Sequence, residues 1–209
     1  MRIVKVMFLA VVCAMFCCGC QNIVSLKSGS LATLKGSKTV NVEYSYEGMR
    51  VGNMTEQEYV SKRTEKLDKE SPGAGATWLN TWQNNRVARF QPKFEQLLNK
   101  QLAARNVELH FGSHPEAKYT LLLKTTRMTL GYYAAVMNRP AFLDAEAIFF
   151  ETQNRENQVA VVTFRKMAGM DAMTILLGVG PSVEQGSRVQ ESYANTGKRL
   201  GIRVAKKVK

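Results

Sequence analysis

The chain of 209 residues is 45% hydrophobic and 22% charged, and its 29 Lys and Arg outnumber its 17 Asp and Glu to give a formal net charge of +12. A chain of this length can bury a core without disulfide or metal staples, which excludes the small cysteine-rich scaffolds. The positive charge favours acidic partners such as anionic lipid or glycan, whereas nucleic acid is not an expected partner, because no zinc-finger, ribonucleoprotein or basic-zipper pattern appears.

The first twenty residues have the three-part layout of a bacterial export signal. Arg2 and Lys5 form a charged start, a short apolar run follows, and small residues end at Gly19-Cys20. The apolar run is too short to cross a bilayer, for which about 20 apolar residues are needed. We therefore expect residues 1–19 to be a signal peptide that is removed from the mature chain.

The end of this signal resembles the lipobox of bacterial lipoproteins, in which a small residue precedes a cysteine that is lipidated. Gly19 and Cys20 match those two positions. Cys17 stands where an aliphatic residue is usual, and Cys18 stands where Ala or Ser is commoner. A plain secretory signal or a disulfide pair are the alternatives, but cleavage after Gly19 leaves one cysteine and no intrachain bridge. The resemblance implies palmitate and diacylglycerol on Cys20.

The residues after the cysteine indicate where such a lipoprotein resides and how its domain is attached. Gln21 stands where an Asp would favour inner-membrane retention, so we expect the outer membrane, and the lack of an acidic run favours the periplasmic face. Residues 20–37 are rich in Ser, Gly and Lys, which predicts a flexible stalk. A single domain is then expected over residues 38–209.

The first half of that domain alternates between strand and helix patterns. Period-two alternation predicts a half-buried strand at about residues 38–46. Thr55 and Glu58 form a capping box that predicts a charged helix to about residue 69. Helical spacing follows over about 77–105, where Pro92 predicts a kink or two helical pieces. Within it, Trp78 and Trp82 are four residues apart and are expected to share a face.

The second half reads as a run of strands followed by one helix. Strand candidates lie at about 107–111, 118–130, 140–152 and 158–166, with one apolar and one polar face, as in an antiparallel sheet covered on one side. A final helix is predicted over about 187–207, with Gly197 and Gly201 placed for close approach to the sheet. The element order predicts an α+β fold, with a mostly antiparallel sheet of four to five strands and two main helices packed on one face.

This element order, together with the lipobox and the glycine-bearing terminal helix, resembles the small α/β domain of curli-secretion-channel-type assembly lipoproteins. The resemblance covers the chain from about residue 38 to its end. It implies a binding or assembly role and carries no catalytic residues. Two other functions stay open: a binder of anionic glycan or lipid through a basic surface, and a polysaccharide hydrolase.

Two groups of polar residues are candidates for chemistry. His110, His114 and Glu116 lie at a strand end and in a turn, where the helical geometry of a His-x3-His zinc site does not follow, so we expect neither a metal nor a cofactor. Asp144 and Glu146 share one strand face, as paired glycosidase carboxylates do, but charges on the wet face of a one-sided sheet are the commoner reason. We therefore expect no catalytic residue.

The connector over residues 166–180 is unusually apolar for a segment between a strand and a helix. It is predicted either to fold into the core or to form a surface for a protein partner or a second copy of the chain, for which flexible methionines are well suited. The residues of this possible surface are Met167, Met170, Met173, Ile175, Leu176 and Leu177.

Overall fold

A computed structural model of the chain describes residues 22–132, 139–169 and 184–209. The strands are β1 (Ile23–Gly29), β2 (Thr39–Ser45), β3 (Arg50–Val51), β4 (Met54–Thr55), β5 (His110–Gly112), β6 (Tyr119–Thr129), β7 (Phe142–Glu151) and β8 (Asn154–Ala168). The helices are α1 (Glu56–Glu70), α2 (Ala74–Asn85), α3 (Gln91–Ala103) and α4 (Gln185–Val208), with a 3-10 turn at Leu31–Leu34 and a π-helical turn at Arg86–Phe90. None of the helices in these ranges is long and apolar enough to span a bilayer.

Within the described residues the strands form one eight-stranded mixed sheet. Its order is β1-β8-β7-β6-β2-β5, and the short β3 pairs with both β6 and β4. β2 runs parallel to β5 and to β6, and β3 runs parallel to β6, whereas β6, β7, β8 and β1 are antiparallel neighbours. The class is α+β, but the predicted sheet is wrong: it has eight strands rather than four to five, and it is mixed.

The parallel strand pairs were not predicted, and there is a physical reason. The chain leaves β2 and reaches β6 only after α1, α2 and α3. A long crossover through helices can bring the next strand in parallel, whereas a short hairpin cannot. A strand with one buried face shows the same alternation of apolar and polar residues whether its neighbours are parallel or antiparallel, so the pattern does not indicate strand direction.

Seven of the residues expected to form a flexible stalk, Ile23–Gly29, are instead a strand of the sheet. β1 pairs antiparallel with β8 from Ile23 opposite Arg165 to Gly29 opposite Ala160. The 3-10 turn that follows buries Leu31 and Leu34, which are 4% and 1% exposed. An edge strand is stabilised by its backbone hydrogen bonds to the neighbouring strand. Because the side chains of β1 are mostly exposed, its sequence does not show the alternation of apolar and polar residues that predicts a strand.

The predicted helices over the first half of the domain are confirmed. α1 begins with the expected capping box, since the Glu58 backbone N–H donates to Thr55 Oγ1 at 3.2 Å and the Thr55 N–H donates to the Glu58 carboxylate at 2.8 Å. The helical stretch with Pro92 is broken as predicted: α2 passes through the π-helical turn into α3, with the proline in the first turn of α3. Trp78 and Trp82 stack with ring centroids 5.5 Å apart.

The terminal helix α4 is confirmed and its predicted apolar stripe is buried. Tyr193 is fully buried, stacks on Phe90 at 5.1 Å and shares a 2.7 Å hydrogen bond with Thr125 of β6. Gly197 and Gly201 do permit a close approach, but to helix α3 rather than to the sheet as predicted. A Cβ at Gly197 would lie 2.1 Å from the backbone carbonyl oxygen of Phe94 in α3, and a Cβ at Gly201 would lie 2.6 Å from that of Leu98.

Candidate functional site

A groove lies between edge strand β1 and the C-terminal half of helix α4, and it encloses about 480 Å³. This β1–α4 groove combines apolar and cationic side chains. The apolar ones are Val24, Leu26, Leu31 and Ile202, the cationic ones are Arg199, Arg203, Lys206 and Lys207, and Asn22 and Ser30 complete the lining. Among these lining residues none is acidic. Such a lining suits a ligand with a negatively charged group and an apolar part.

The strand wall of the groove is held in place by strand β8 and by helix α4. β1 is bonded to β8 along its length, and Asn22 Oδ1 accepts a hydrogen bond from the Ala168 backbone N–H at 2.8 Å. Across the groove, the guanidinium of Arg203 donates to the backbone carbonyl of Val24. The two walls are therefore tied together by a charge-assisted hydrogen bond, which is stronger than a neutral one.

The helix wall supplies the positive charge. The chain from residue 195 to residue 209 has no acidic residue and six cationic ones: Lys198, Arg199, Arg203, Lys206, Lys207 and Lys209. Cations in the last turn favour the helix dipole, which accounts for the lysines. Arg199 and Arg203 lie one to two turns earlier and need another reason. The four cations that line the groove are spaced three or four residues apart, or adjacent, so they share one side of the helix.

The groove lies next to the point where the described chain begins. Asn22 is part of the lining and is two residues from Cys20. An extended chain spans at most about 3.5 Å per residue, so the Cα atom of Cys20 is no more than about 7 Å from that of Asn22. The cysteine itself lies outside the described residues. Covalent geometry alone thus keeps the expected lipidation site beside the cationic groove.

A second cavity of about 500 Å³ lies among α1, α2 and the end of β2, and three of its lining residues, Glu56, Trp82 and Arg86, bond to one another. Glu56 forms an ion pair with Arg86 and accepts a hydrogen bond from Trp82 Nε1 at 2.7 Å. The Arg86 guanidinium also lies 4.2 Å from the ring centroid of Tyr46. Burial raises the pKa of Tyr46, so its hydroxyl stays protonated. These contacts tie α1 to the π-helical turn and need no ligand to explain them.

The two histidines, which sequence reasoning placed at a strand end and in a turn, are in direct contact. His110 Nδ1 and His114 Nε2 are 3.0 Å apart, and Glu116 lies 3.8 Å from the other nitrogen of His114. Asn41 accepts a hydrogen bond from the His114 backbone, and Asn99 lies 3.4 Å from His110. Over the described ranges, no three His, Cys, Asp or Glu side chains are grouped as metal ligands.

The paired carboxylates of β7 share a strand face, as predicted, but each is held by a different partner. Asp144 accepts a 2.7 Å hydrogen bond from the Lys166 backbone N–H and lies 3.6 Å from Arg165. Glu146 pairs with Lys27 of β1 at 3.1 Å. Asp144 therefore ties β7 to its neighbour β8, whereas Glu146 reaches across β8 to β1, and the two carboxylates do not act on a common point.

The possible partner surface in the apolar connector falls mostly outside the described residues. Met167 belongs to β8 and is fully buried in the core, so it contributes to packing rather than to an exposed surface. The remaining five residues of that prediction lie beyond the described ranges: Met170, Met173, Ile175, Leu176 and Leu177.

Sequence reasoning left open a basic binding surface but located neither wall of the groove. The stripe of cations on the last helix is visible in the sequence, because Arg199, Arg203 and Lys206 recur at helical spacing. The opposite wall was assigned to a stalk, since β1 has neither alternation nor burial to mark it. The available signal was the group of apolar side chains Ile23, Val24 and Leu26 at the start of a stretch rich in Ser and Lys.

Comparisons with known proteins include a distant structural likeness. No family model matches the chain, and no curated protein matches it. Two solved structures of PelC from Paraburkholderia phytofirmans, one of them a point variant and both described as dodecamers, align with TM-scores of 0.38 and 0.36 at 12% and 13% identity. The alignments cover 83% of this chain and 97% or 98% of the PelC chains. TM-scores of this size carry no conclusion about the role or assembly of this chain.

Proposed function

We propose that this chain is a lipid-anchored protein of the bacterial cell envelope, held through Cys20, with a non-enzymatic binding role. The observation that carries the proposal is the position of β1. Strand β1 begins at Ile23, three residues after the expected lipidation site, and forms one wall of a cationic groove. An anchor at that point holds the groove at the membrane surface, without the spacer that a stalk would provide.

The binding role is supported by how the polar side chains are used. The only paired carboxylates that sequence reasoning singled out, Asp144 and Glu146, are engaged in strand-to-strand ion pairs. Glycoside hydrolysis by a carboxyl pair needs both groups directed at one bond of the substrate, whereas these two are directed at separate cations. The groove, by contrast, offers positive charge and apolar surface, and its lining holds no carboxylate.

The location follows from the residues around the cysteine. We place the protein in the outer membrane on its periplasmic face, because Gln21 rather than Asp follows Cys20 and no acidic run comes after it. At that location the chain, whose formal charge is +12 before signal removal, would attract anionic components of the envelope.

The test compares two single substitutions in cells supplied with labelled palmitate. Cys20→Ser is expected to abolish palmitate incorporation, because no other cysteine remains after cleavage at Gly19. Cys18→Ser is the matched control, and it is expected to keep both the label and partitioning into the detergent phase. Label retained on Cys20→Ser would contradict the proposal, and loss of label on Cys18→Ser alone would move the lipidation site.

A further inference from the structure

The geometry points to the β1–α4 groove as a binding site for the phosphate group of an anionic phospholipid, drawn from the same membrane that holds the lipid anchor. This inference rests on the proposed function and gives it a ligand class. It also makes a statement about orientation: the domain lies against the bilayer with β1 and the end of α4 facing the lipid headgroups.

The first step is charge. Arg199, Arg203, Lys206 and Lys207 line the groove and no acidic residue does. Arg203 is partly used by its bond to the Val24 carbonyl, whereas the other three are exposed. Arg and Lys are the side chains that bind phosphate oxygens, through charge-assisted hydrogen bonds. A surface of this kind is attracted to an anionic leaflet, and each cation strengthens the binding about fivefold.

The second step is the apolar part of the lining. A free phosphate ion or a sulfated sugar has no use for the apolar side chains of the groove, whereas the glycerol and first methylenes of a phospholipid contact such a surface. The groove volume of about 480 Å³ is within the usual range for a small-ligand site. Its size and its mixed lining therefore favour a lipid headgroup over a small ion.

The third step is the distribution of exposed apolar residues. Among the described residues only four large hydrophobic side chains are strongly exposed, and two of them, Ile23 and Leu26, lie on β1. They are 51% and 44% exposed, three and six residues from Cys20. Exposed apolar side chains rimmed by cations are the composition of surfaces that lie in the membrane interface. Leu26 lines the groove together with the cations, whereas Ile23 extends from the other face of β1, at the same end of the molecule that the anchor holds near lipid.

The experiment uses the full lipidated protein in vesicles and exploits the absence of any cysteine after residue 20. A nitroxide label is attached at Leu26→Cys, inside the groove, and in a separate sample at Ser61→Cys on the exposed surface of α1. Contact of each label with a water-soluble relaxation agent is measured in phosphatidylglycerol and in phosphatidylcholine vesicles. We expect protection of the groove label in phosphatidylglycerol only, and no difference between the two lipids for the α1 label.

Charge variants then test the site. Arg199→Gln combined with Lys206→Gln and Lys207→Gln removes three cations from the groove, and it is expected to lower the docking equilibrium constant about 100-fold at about fivefold per cation. The matched control removes three exposed cations from α1: Lys62→Gln, Lys66→Gln and Lys69→Gln. It is expected to keep the protection. Thermal melting of both triple variants confirms that each is folded.

Each outcome decides something. Absence of groove protection in phosphatidylglycerol, with the protein still in the vesicle fraction, overturns this inference and leaves the lipid anchor intact. Failure of the protein to enter the vesicle fraction overturns the proposed function instead. Equal loss of protection in both triple variants means attraction by net charge alone, and overturns the groove as a site. Inorganic phosphate or a soluble anionic polysaccharide is also added to the phosphatidylcholine vesicles at constant ionic strength. If either one protects the groove label there, the phospholipid is not the occupant.

Discussion

The close contact between helices α3 and α4 depends on Gly197, and replacing it with Ala tests the packing of the domain directly. A Cβ at this position would lie 2.1 Å from the carbonyl oxygen of Phe94 and 3.0 Å from its carbonyl carbon. Ordinary carbon–oxygen contact is above about 3.3 Å, so the helices must separate by about 1 Å. The atoms that clash are backbone atoms, which cannot rotate away as a side chain does.

Two opposing effects set the magnitude. Ala has a higher helix propensity than Gly by about 1 kcal/mol. Overpacking of a close-packed interior typically costs about 1–3 kcal/mol, and the clash at Gly197 falls at the upper end because backbone must shift. We therefore expect Gly197→Ala to lower the free energy of unfolding by about 2 kcal/mol net. At Gly201 the nearest approach is 2.6 Å to the Leu98 carbonyl oxygen, so the loss is smaller.

The matched control lies in the same helix. A Cβ at Gly186 would meet the ends of the Arg89 and Asn85 side chains at 3.1 Å, and these can move. Gly186→Ala is therefore expected to be neutral or to stabilise by up to about 1 kcal/mol. Urea unfolding of the three variants should rank their stabilities with Gly186→Ala highest and Gly197→Ala lowest. Gly197→Ala at or above the wild-type stability would refute the α3–α4 packing.

Three further predictions test other parts of the fold. Leu34→Ala should lower the free energy of unfolding in urea by about 3 kcal/mol, because Leu34 is 1% exposed. Thr33→Ala, at an exposed position, should change it little. An unchanged stability of Leu34→Ala would mean that this segment is a flexible stalk after all. Leu200→Asp should cost several kcal/mol, since it buries an unpaired charge, while Lys198→Asp on the exposed side should barely shift the melting temperature; equal shifts would place Leu200 outside the core. The hydrogen bond from Thr55 lowers the pKa of Glu58, so its contribution is present above about pH 4.5 and lost as pH falls through the lowered pKa. Glu58→Gln should therefore be less stable than wild type at pH 7 and equal to it at about pH 2, and a gap unchanged with pH would contradict this.

How far the fold follows from the sequence depends on which forces mark each element. Helix α1 and the broken stretch around Pro92 were predictable because capping and proline act locally, within a few residues. The long strands β6, β7 and β8 were predictable because one face is buried and the other is not. β1 was not, because a strand at a sheet edge is stabilised by backbone hydrogen bonds that leave no trace in side-chain pattern.

The candidate site illustrates a second limit. Helical spacing shows that Gly197 and Gly201 share a small-residue face, but it does not show which element meets that face. The same holds for Arg199 and Arg203, whose shared side is visible in the sequence and whose facing wall is not. The contact between His110 and His114 likewise arises because β5 and the turn after it fold back on each other. Relations within one element are readable from spacing, whereas relations between elements need the fold.

Attachment of the domain to the membrane through Cys20 is tested by mass spectrometry of the mature protein purified from membranes. We expect a chain that begins at Cys20 and whose N-terminal peptide carries the added mass of a diacylglyceryl group and a fatty acyl chain. A mature chain that begins at any other residue, or a Cys20 peptide without lipid, would contradict it.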